Sequence, residues 1–273
     1  MSEFAGPLAD RYGAQAPAAG LGAANAVLDL LLKHRSVRSY LPQALPAGTL
    51  EMLVAAAQSA STSSNLQAWS LVAVEDSARK ARLSQLVGNQ AHVRAAPLFL
   101  VWLADLARLE RIAADQGQTS EGLDYLELLL VGVIDAALAA QNTVVALESL
   151  GLSSVYIGGI RNQPEAVAAE LALPPGVFAT FGMCVGYEDP KHPAQVKPRL
   201  PQAAVLHREQ YSLAAQQQAI SDYDQVMAQF YAGQGMRQPD WTSTVANRVK
   251  SAASLSGRDR LAQALHALGF KIR

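Results

Sequence analysis

The sequence predicts an α+β fold in which central strands are flanked by many helices. Three observations carry this. Short continuous apolar runs, of which 97–104 (PLFLVWLA) is the clearest, read as strands buried on both faces. Other stretches repeat apolar residues at helical spacing. No repeat or linker interrupts the 273 residues, and a composition of 50% hydrophobic and 16% charged supports a packed core.

Taken in order, residues 1–23 are rich in Ala, Gly and Pro and are expected to form a loose extension. Pro17, Gly20 and Gly22 break the weak apolar run after Arg11, which argues against a secretory leader. A helix is expected at 24–33, with Val27, Leu28, Leu30, Leu31 and Leu32 apolar. After a turn from Pro42 to Pro46, Thr49 is placed to cap a helix carrying Leu50, Leu53, Val54 and Ala57. That helix ends in a polar tract, 59–67. A strand follows at 70–75, then a helix capped by Asp76 that runs to Leu86 and ends near Gly88. Beyond the strand at 97–104, a long helix is expected at about 121–150. It is apolar on nearly all sides, so it must be covered all round. Asp135, Gln141 and Asn142 interrupt its most apolar part, which favours a buried core or interface helix over a membrane span. A strand at 153–158 ends at Gly158-Gly159. Asn162 and Pro164 then start a helix closed by Pro174-Pro175-Gly176. Residues 178–187 read as an apolar strand, 188–201 as a proline-rich loop, and the tail as helices at about 216–231 and 257–268. The expected organisation is the extension at 1–23 and one domain over 24–273.

Lys plus Arg total 22 against 23 for Asp plus Glu, a net charge of -1, so the chain lacks the positive field of a non-specific nucleic-acid binder. The single cysteine, Cys184, excludes an internal disulfide and suits a reducing cytoplasm. It lies in an apolar strand and reads as a packed core thiol. The five histidines are scattered, with no HExxH, and no metal site is expected. There is no P-loop and no GxSxG. The Gly20-Leu21-Gly22 fragment follows no strand, which rejects a dinucleotide-binding reading. His92 reads as a surface helix residue rather than a base.

Three polar constellations remain. In His34-Arg35-Ser36-Val37-Arg38, alternation in an extended chain lets Ser36 and Arg38 face one side, and the arginine fork suits phosphate. The ordinary alternative is a solvated basic patch at a helix end. Residues 59–67 crowd hydroxyls and amides, either as a ligand surface or as a turn-rich loop. Lys197-Pro198-Arg199 is a surface loop by itself, but together with the first cluster it could complete an anion site. In residues 155–162 a strand ends in two glycines, where backbone can approach a flat ligand; a plain strand-to-helix turn is the alternative.

HRSVRSY, SASTSSNLQ, GNQAHVRAAPLFLVW, the block EGLDYLELLLVGVIDAALAAQNTVVALESLGLSSVYIGGIRN, FGMCVGYEDP and KPRLP follow one another in the order of a known family. The chain resembles the flavin-dependent nitroreductase and flavin reductase family, in particular its bacterial oxygen-insensitive NADPH nitroreductase group. The resemblance covers about residue 24 to the C-terminus.

The resemblance implies a mainly antiparallel sheet flanked by helices, in an intertwined homodimer with a long buried core helix and FMN at the subunit interface. His34, Arg35, Ser36 and Arg38 then hold the FMN phosphate and ribityl chain. Ser63 and Ser64 face the flavin from the partner chain, with Gln67 a further candidate, and Gln90 touches the flavin. The Tyr156-Ile157-Gly158-Gly159 stretch brings backbone to the ring, and Lys197 and Arg199 close on the phosphate. Asn65, Arg161, Gln234 and Arg237 fall to substrate or NADPH. Asn65 stands where an aromatic is expected, and Gln234 where an arginine is expected to grip the NADPH 2′-phosphate. The extension before residue 24 has no counterpart. The implied activity is ping-pong. Hydride passes from NADPH or NADH to the flavin, and two electrons then pass to a nitroaromatic or quinone, with no catalytic side chain required. The alternatives are an NAD(P)H:flavin reductase, an azo or chromate reductase and, from another class, a flavin-binding redox sensor. No nucleic-acid or membrane partner is expected.

Overall fold

The computed structural model describes residues 5–16 and 25–273; the rest of the expected extension lies outside the described residues. In chain order the helices are α1 (Ala5–Tyr12), α2 (Ala26–Leu32), α3 (Thr49–Gln58), α4 (Ser77–Leu86), α5 (Ala91–Ala95), α6 (Ala107–Asp115), α7 (Leu126–Ser149), α8 (Pro164–Glu170), α9 (Gln217–Ala232), α10 (Trp241–Val249) and α11 (Leu261–Ala267). The strands are β1 (Trp69–Val74), β2 (Leu98–Asp105), β3 (Ser153–Ile157) and β4 (Val177–Gly186). The chain divides into two compact units. The first is Met1–Arg35 with Gln195–Leu255, and the second is Ser36–Ala194 with Ser256–Arg273. The sequence carries no linker at these boundaries, so one domain was the expectation.

The second unit holds an antiparallel sheet in the order β1-β2-β4-β3. Every residue of β2 is buried, as its unbroken apolar run requires. Phe99, Val101 and Leu103 enter a core with Val37, Leu83, Val93, Ile157 and Cys184. Leu98, Leu100 and Trp102 face a second core with Leu53, Ala136, Ala140 and Leu147. The successive residues of one strand thus supply both cores.

Helix α7 begins at Leu126, because residues Glu121–Asp124 make a separate 3₁₀ turn. It is long and apolar enough to cross a membrane by length and composition, and half of its most apolar window is buried. Its covering is one-sided. Leu126, Leu130, Ile134 and Leu138, spaced by four, form an exposed stripe, so the expected all-round cover is not provided by this chain alone. The opposite face carries Asp135, 1% exposed. Its carboxylate accepts the backbone N–H of Ser63 at 3.0 Å and of Ala68 at 3.1 Å.

Two local expectations need correction. Gly48, with φ 79°, occupies the cap position of α3, and Thr49 is its first helical residue. Residues 5–12, expected to be loose, form α1, a helix of the first unit on which Leu8 and Arg11 are both buried. Their three-residue spacing places both on one face. In the same unit, Tyr223, Val226 and Met227 of α9 make a small core with Leu200, Phe230 and Trp241.

Candidate functional site

In the second unit the site begins where residue 36 meets the sheet. Ser36 bridges Ser154 of β3, and the Val37 N–H donates to the Ser154 carbonyl at 2.9 Å. Val37 is fully buried while Ser36 and Arg38 are exposed, so the expected alternation holds. The next turn is pinned by Tyr40, whose buried hydroxyl donates to the Val37 carbonyl at 2.7 Å. Burial pushes the Tyr40 pKa far above the ordinary phenol value, so this hydroxyl keeps its proton.

At the end of β3 a 3₁₀ turn, Gly158–Arg161, carries the two glycines. A Cβ on Gly159 would lie 2.5 Å from the Val87 carbonyl oxygen and 2.8 Å from the Gln90 amide nitrogen. Only glycine fits, and Gln90 is thereby packed onto this turn, with Nε2 donating to the Val87 carbonyl at 2.7 Å. Gly158 has room for a Cβ, which would sit 3.5 Å from the Arg161 guanidinium and 3.8 Å from that of Arg258. Arg161 donates to the Thr180 carbonyl. Burial, and then the charge of Arg258, lowers its pKa from the ordinary value. The side chain of Ile157 is buried in the core, so this residue can offer a ligand only its backbone. Tyr156 is exposed and stands edge-on to Phe181.

Four polar side-chain atoms among the described residues of this unit, Asn162 Oδ1, His92 Nε2, Ser154 Oγ and Trp102 Nε1, are buried without a hydrogen-bond partner. Asn162 closes the glycine turn, its N–H donating to the Gly159 carbonyl at 2.9 Å. His92 is therefore not the surface residue expected. It is half-buried on α5, and burial, followed by the Arg38 charge, lowers its pKa below the ordinary 6.5.

The tract of Ser63, Ser64, Asn65 and Gln67 is exposed. Asn65 and Gln67 line a cavity of about 650 Å³ with Leu66, Trp69, Ser70 and Arg108, and neither Gln90 nor Gly159 is on its wall. Ser64, Asn65 and Gln67 take left-handed φ values of 49°, 53° and 50°. Asp135 holds both ends of this tract, and Arg108 fixes its exit by donating to the Gln67 and Trp69 carbonyls.

The first unit holds His34 and Arg35, just after α2, and Lys197, Arg199, Gln234 and Arg237. The Lys197 ammonium lies 5.4 Å from the Tyr231 ring centroid and 3.4 Å from its hydroxyl. Arg199 donates to the Lys197 carbonyl at 3.1 Å. Gln234 lines a cavity of about 510 Å³ with Asp10, Gln195, Val196, Gln229, Phe230 and Gly233, and Arg237 is exposed outside it. Asp135, Arg108 and Asn162 were not foreseen as site residues. The signal for Asp135 was a carboxylate amid the apolar run before Gln141 and Asn142.

A profile of the nitroreductase family matches residues 31–187, more than half of the chain. The chain belongs to the nitroreductase family. A profile of that family's C-terminal domain matches residues 197–273. Among curated relatives, the FMN reductase (NADPH) of Bacillus subtilis is 40% identical over 234 residues, covering 83% of this chain and 92% of the relative. The oxygen-insensitive NADPH nitroreductase of Salmonella typhimurium is 36% identical over 248 residues, covering 90% and 98%. Among solved structures, a nitroreductase of B. subtilis superposes with a TM-score of 0.84 at 38% identity, covering 90% of this chain and 99% of the other. The open antiparallel sheet and the long α7 are thus those of the family.

Proposed function

We propose that this chain is an FMN-dependent oxidoreductase that takes reducing equivalents from NADPH and delivers them in pairs to nitroaromatics, quinones or related acceptors. The observation that carries this reading is the alternation at 36–38: Val37 anchors the segment in the core and leaves Ser36 and Arg38 exposed, with Ser36 bridged to Ser154 of β3. A hydroxyl and a planar cation held in this way fit a phosphate and its ribityl chain. At Gly158 the glycine turn leaves room beside the backbone, and the orphaned Asn162 Oδ1 next to the turn is a buried acceptor in want of a donor.

When bound, FMN supplies the hydride-accepting and two-electron-donating chemistry, for which the chain needs no nucleophile or acid–base pair. The residues bind and orient. Ser36 and Arg38 hold the tail, with His34, Arg35, Lys197 and Arg199 as the cations of the first unit. Gln90 and the backbone at 157–159 position the ring. Arg161, whose guanidinium lies beside Gly158, is proposed to contact substrate or NADPH. Asn65, Gln234 and Arg237 are proposed to contact substrate or NADPH. The exposed stripe Leu126, Leu130, Ile134 and Leu138 supports a homodimer in which a second copy covers α7, and the exposed Ser63 and Ser64 support a flavin contact made across that dimer.

Purified protein should be yellow, and anaerobic NADPH should bleach it, with colour returning when a quinone is added. Protein that stays colourless in excess FMN ends the proposal. Protein that binds FMN but is not bleached by NADPH or NADH is a sensor rather than a reductase.

A further inference from the structure

Helix α1 precedes every motif that carries the family resemblance, yet it reaches the backbone of two of them. Arg11 is 7% exposed. Its guanidinium donates to three carbonyls: Lys197 at 3.0 Å, Leu32 at 2.8 Å and His34 at 2.7 Å. Its own carbonyl accepts the Arg199 N–H at 2.8 Å. Leu32 and His34 belong to the end of α2, where carbonyls lack helical partners and carry partial negative charge. One buried cation thus ties the start of the His34-to-Arg38 segment to the Lys197-Pro198-Arg199 loop. Around that tie the loop is fully engaged. The Lys197 carbonyl accepts from both Arg11 and Arg199, and the Pro198 carbonyl accepts from the Tyr223 hydroxyl at 2.8 Å. The backbone is fixed at each of the three residues while the Lys197 and Arg199 side chains stay at the surface.

We propose that Arg11 is a positioning residue for cofactor binding: by fixing the main chain of residues 32–34 and 197–199, it presets the side chains of His34, Arg35, Lys197 and Arg199 for the FMN phosphate. This rests on the reading above that those cations hold the phosphate. All the groups involved belong to the first unit. The Arg11 guanidinium is turned onto carbonyls. Its contribution to affinity is preorganisation, the saving of loop ordering at the moment of binding.

The test is a double-mutant cycle on the full chain, with the FMN dissociation constant read by quenching of flavin fluorescence. Arg11→Met alone should weaken FMN by about tenfold or more, and Arg11→Lys, which keeps a cation able to reach one or two of the carbonyls, should recover part of the loss. In a Lys197→Ala/Arg199→Ala background, the penalty of Arg11→Met should shrink to about threefold, because two of the four side chains it positions are gone while His34 and Arg35 remain. A penalty of equal size in both backgrounds means that Arg11 only stabilises the fold, and it overturns the proposal, as does an unchanged constant for Arg11→Met alone. If Arg11→Met does not yield folded protein, Arg11→Gln runs the same cycle. The double variant tests the underlying reading separately: if Lys197→Ala/Arg199→Ala binds FMN as tightly as wild type, the phosphate assignment fails rather than the role of Arg11.

Discussion

Replacing Asp135 with Ala should remove the clamp on the polar tract, and the cost can be worked from the bonds. The carboxylate is almost fully enclosed and accepts two backbone N–H groups, from Ser63 and Ala68. The Ala68 N–H is buried, so its orphaning carries the full desolvation penalty, about 2–3 kcal/mol for a bond to a charged group. The Ser63 N–H is only partly buried and can turn to water, so about 1 kcal/mol is a fair charge for it. The sum is about 3–4 kcal/mol. Ser64, Asn65 and Gln67 hold left-handed conformations that cost about 1–2 kcal/mol each in L-residues, so any strain released on loss of the clamp lowers this figure. Asp135→Asn keeps one acceptor oxygen in the same volume and should lose about half as much. Urea denaturation of the full chain gives the two values, and amide exchange at Ala68 should quicken in Asp135→Ala. A loss below about 1 kcal/mol, or Asp135→Asn falling as far as Asp135→Ala, would refute the clamp.

Three further outcomes follow from the same geometry. Arg38→Ala should weaken FMN by about 1.5–3 kcal/mol, the worth of a charge-assisted bond, with little change in stability because the side chain is exposed; isothermal titration measures the first and denaturation the second. Gly159→Ala forces a methyl against the Val87 carbonyl, a backbone atom that cannot swing away, and should cost about 1–3 kcal/mol and displace Gln90, read as a lower thermal midpoint and weaker FMN binding. His92 has a lowered folded pKa, so its neutral form is the one the fold favours. Stability should therefore fall as pH drops through 6.5 towards the folded value, and should be flat above about 7.5 on this account. His92→Gln should flatten the acid side, and identical midpoint-versus-pH curves for the two proteins would contradict it.

The parts of the fold legible in sequence were those whose cause is local. Asp76 caps α4 by accepting the Arg79 N–H at 2.7 Å, and the apolar run of β2 is the core itself. The elements missed depend on distant partners. Helix α10 starts where Asp224, from α9, accepts from both the N–H and the hydroxyl of Thr242. Helix α6 starts where the Asp105 carboxylate at the end of β2 accepts the Arg108 N–H at 3.1 Å. Helix α1 has Gly6 and Pro7 in its first turn and reads as breaker-rich, although proline is tolerated there. At the site, alternation was enough to place Ser36 and Arg38 on one side. It could not show that His92 would be half-buried with its Nε2 covered, because polar or charged residues flank it in sequence and only the tertiary packing covers it.

Among the described residues, the buried charged side chains are Arg11, Lys80, Asp105 and Asp135, and each of them hydrogen-bonds main chain. Arg11 donates to carbonyls of residues 32, 34 and 197, and Lys80 to those of Ala96 and Pro97. Asp105 and Asp135 accept backbone N–H groups. A charge buried this way exchanges water for fixed dipoles, which moderates a desolvation cost that a bare ion could not meet. It also makes the charge an organiser of irregular backbone. Asp135 shapes the serine tract, Arg11 the segments beside His34 and Lys197, and Lys80 the chain between α5 and β2. The strong electrostatics of this chain are thus spent on loop shape, while the proposed chemistry is left to a bound cofactor. One consequence is specific. Substitutions at these buried charges should produce flavin-binding defects in residues that never touch flavin, and those defects should track the loop each charge holds rather than its distance from the glycine turn.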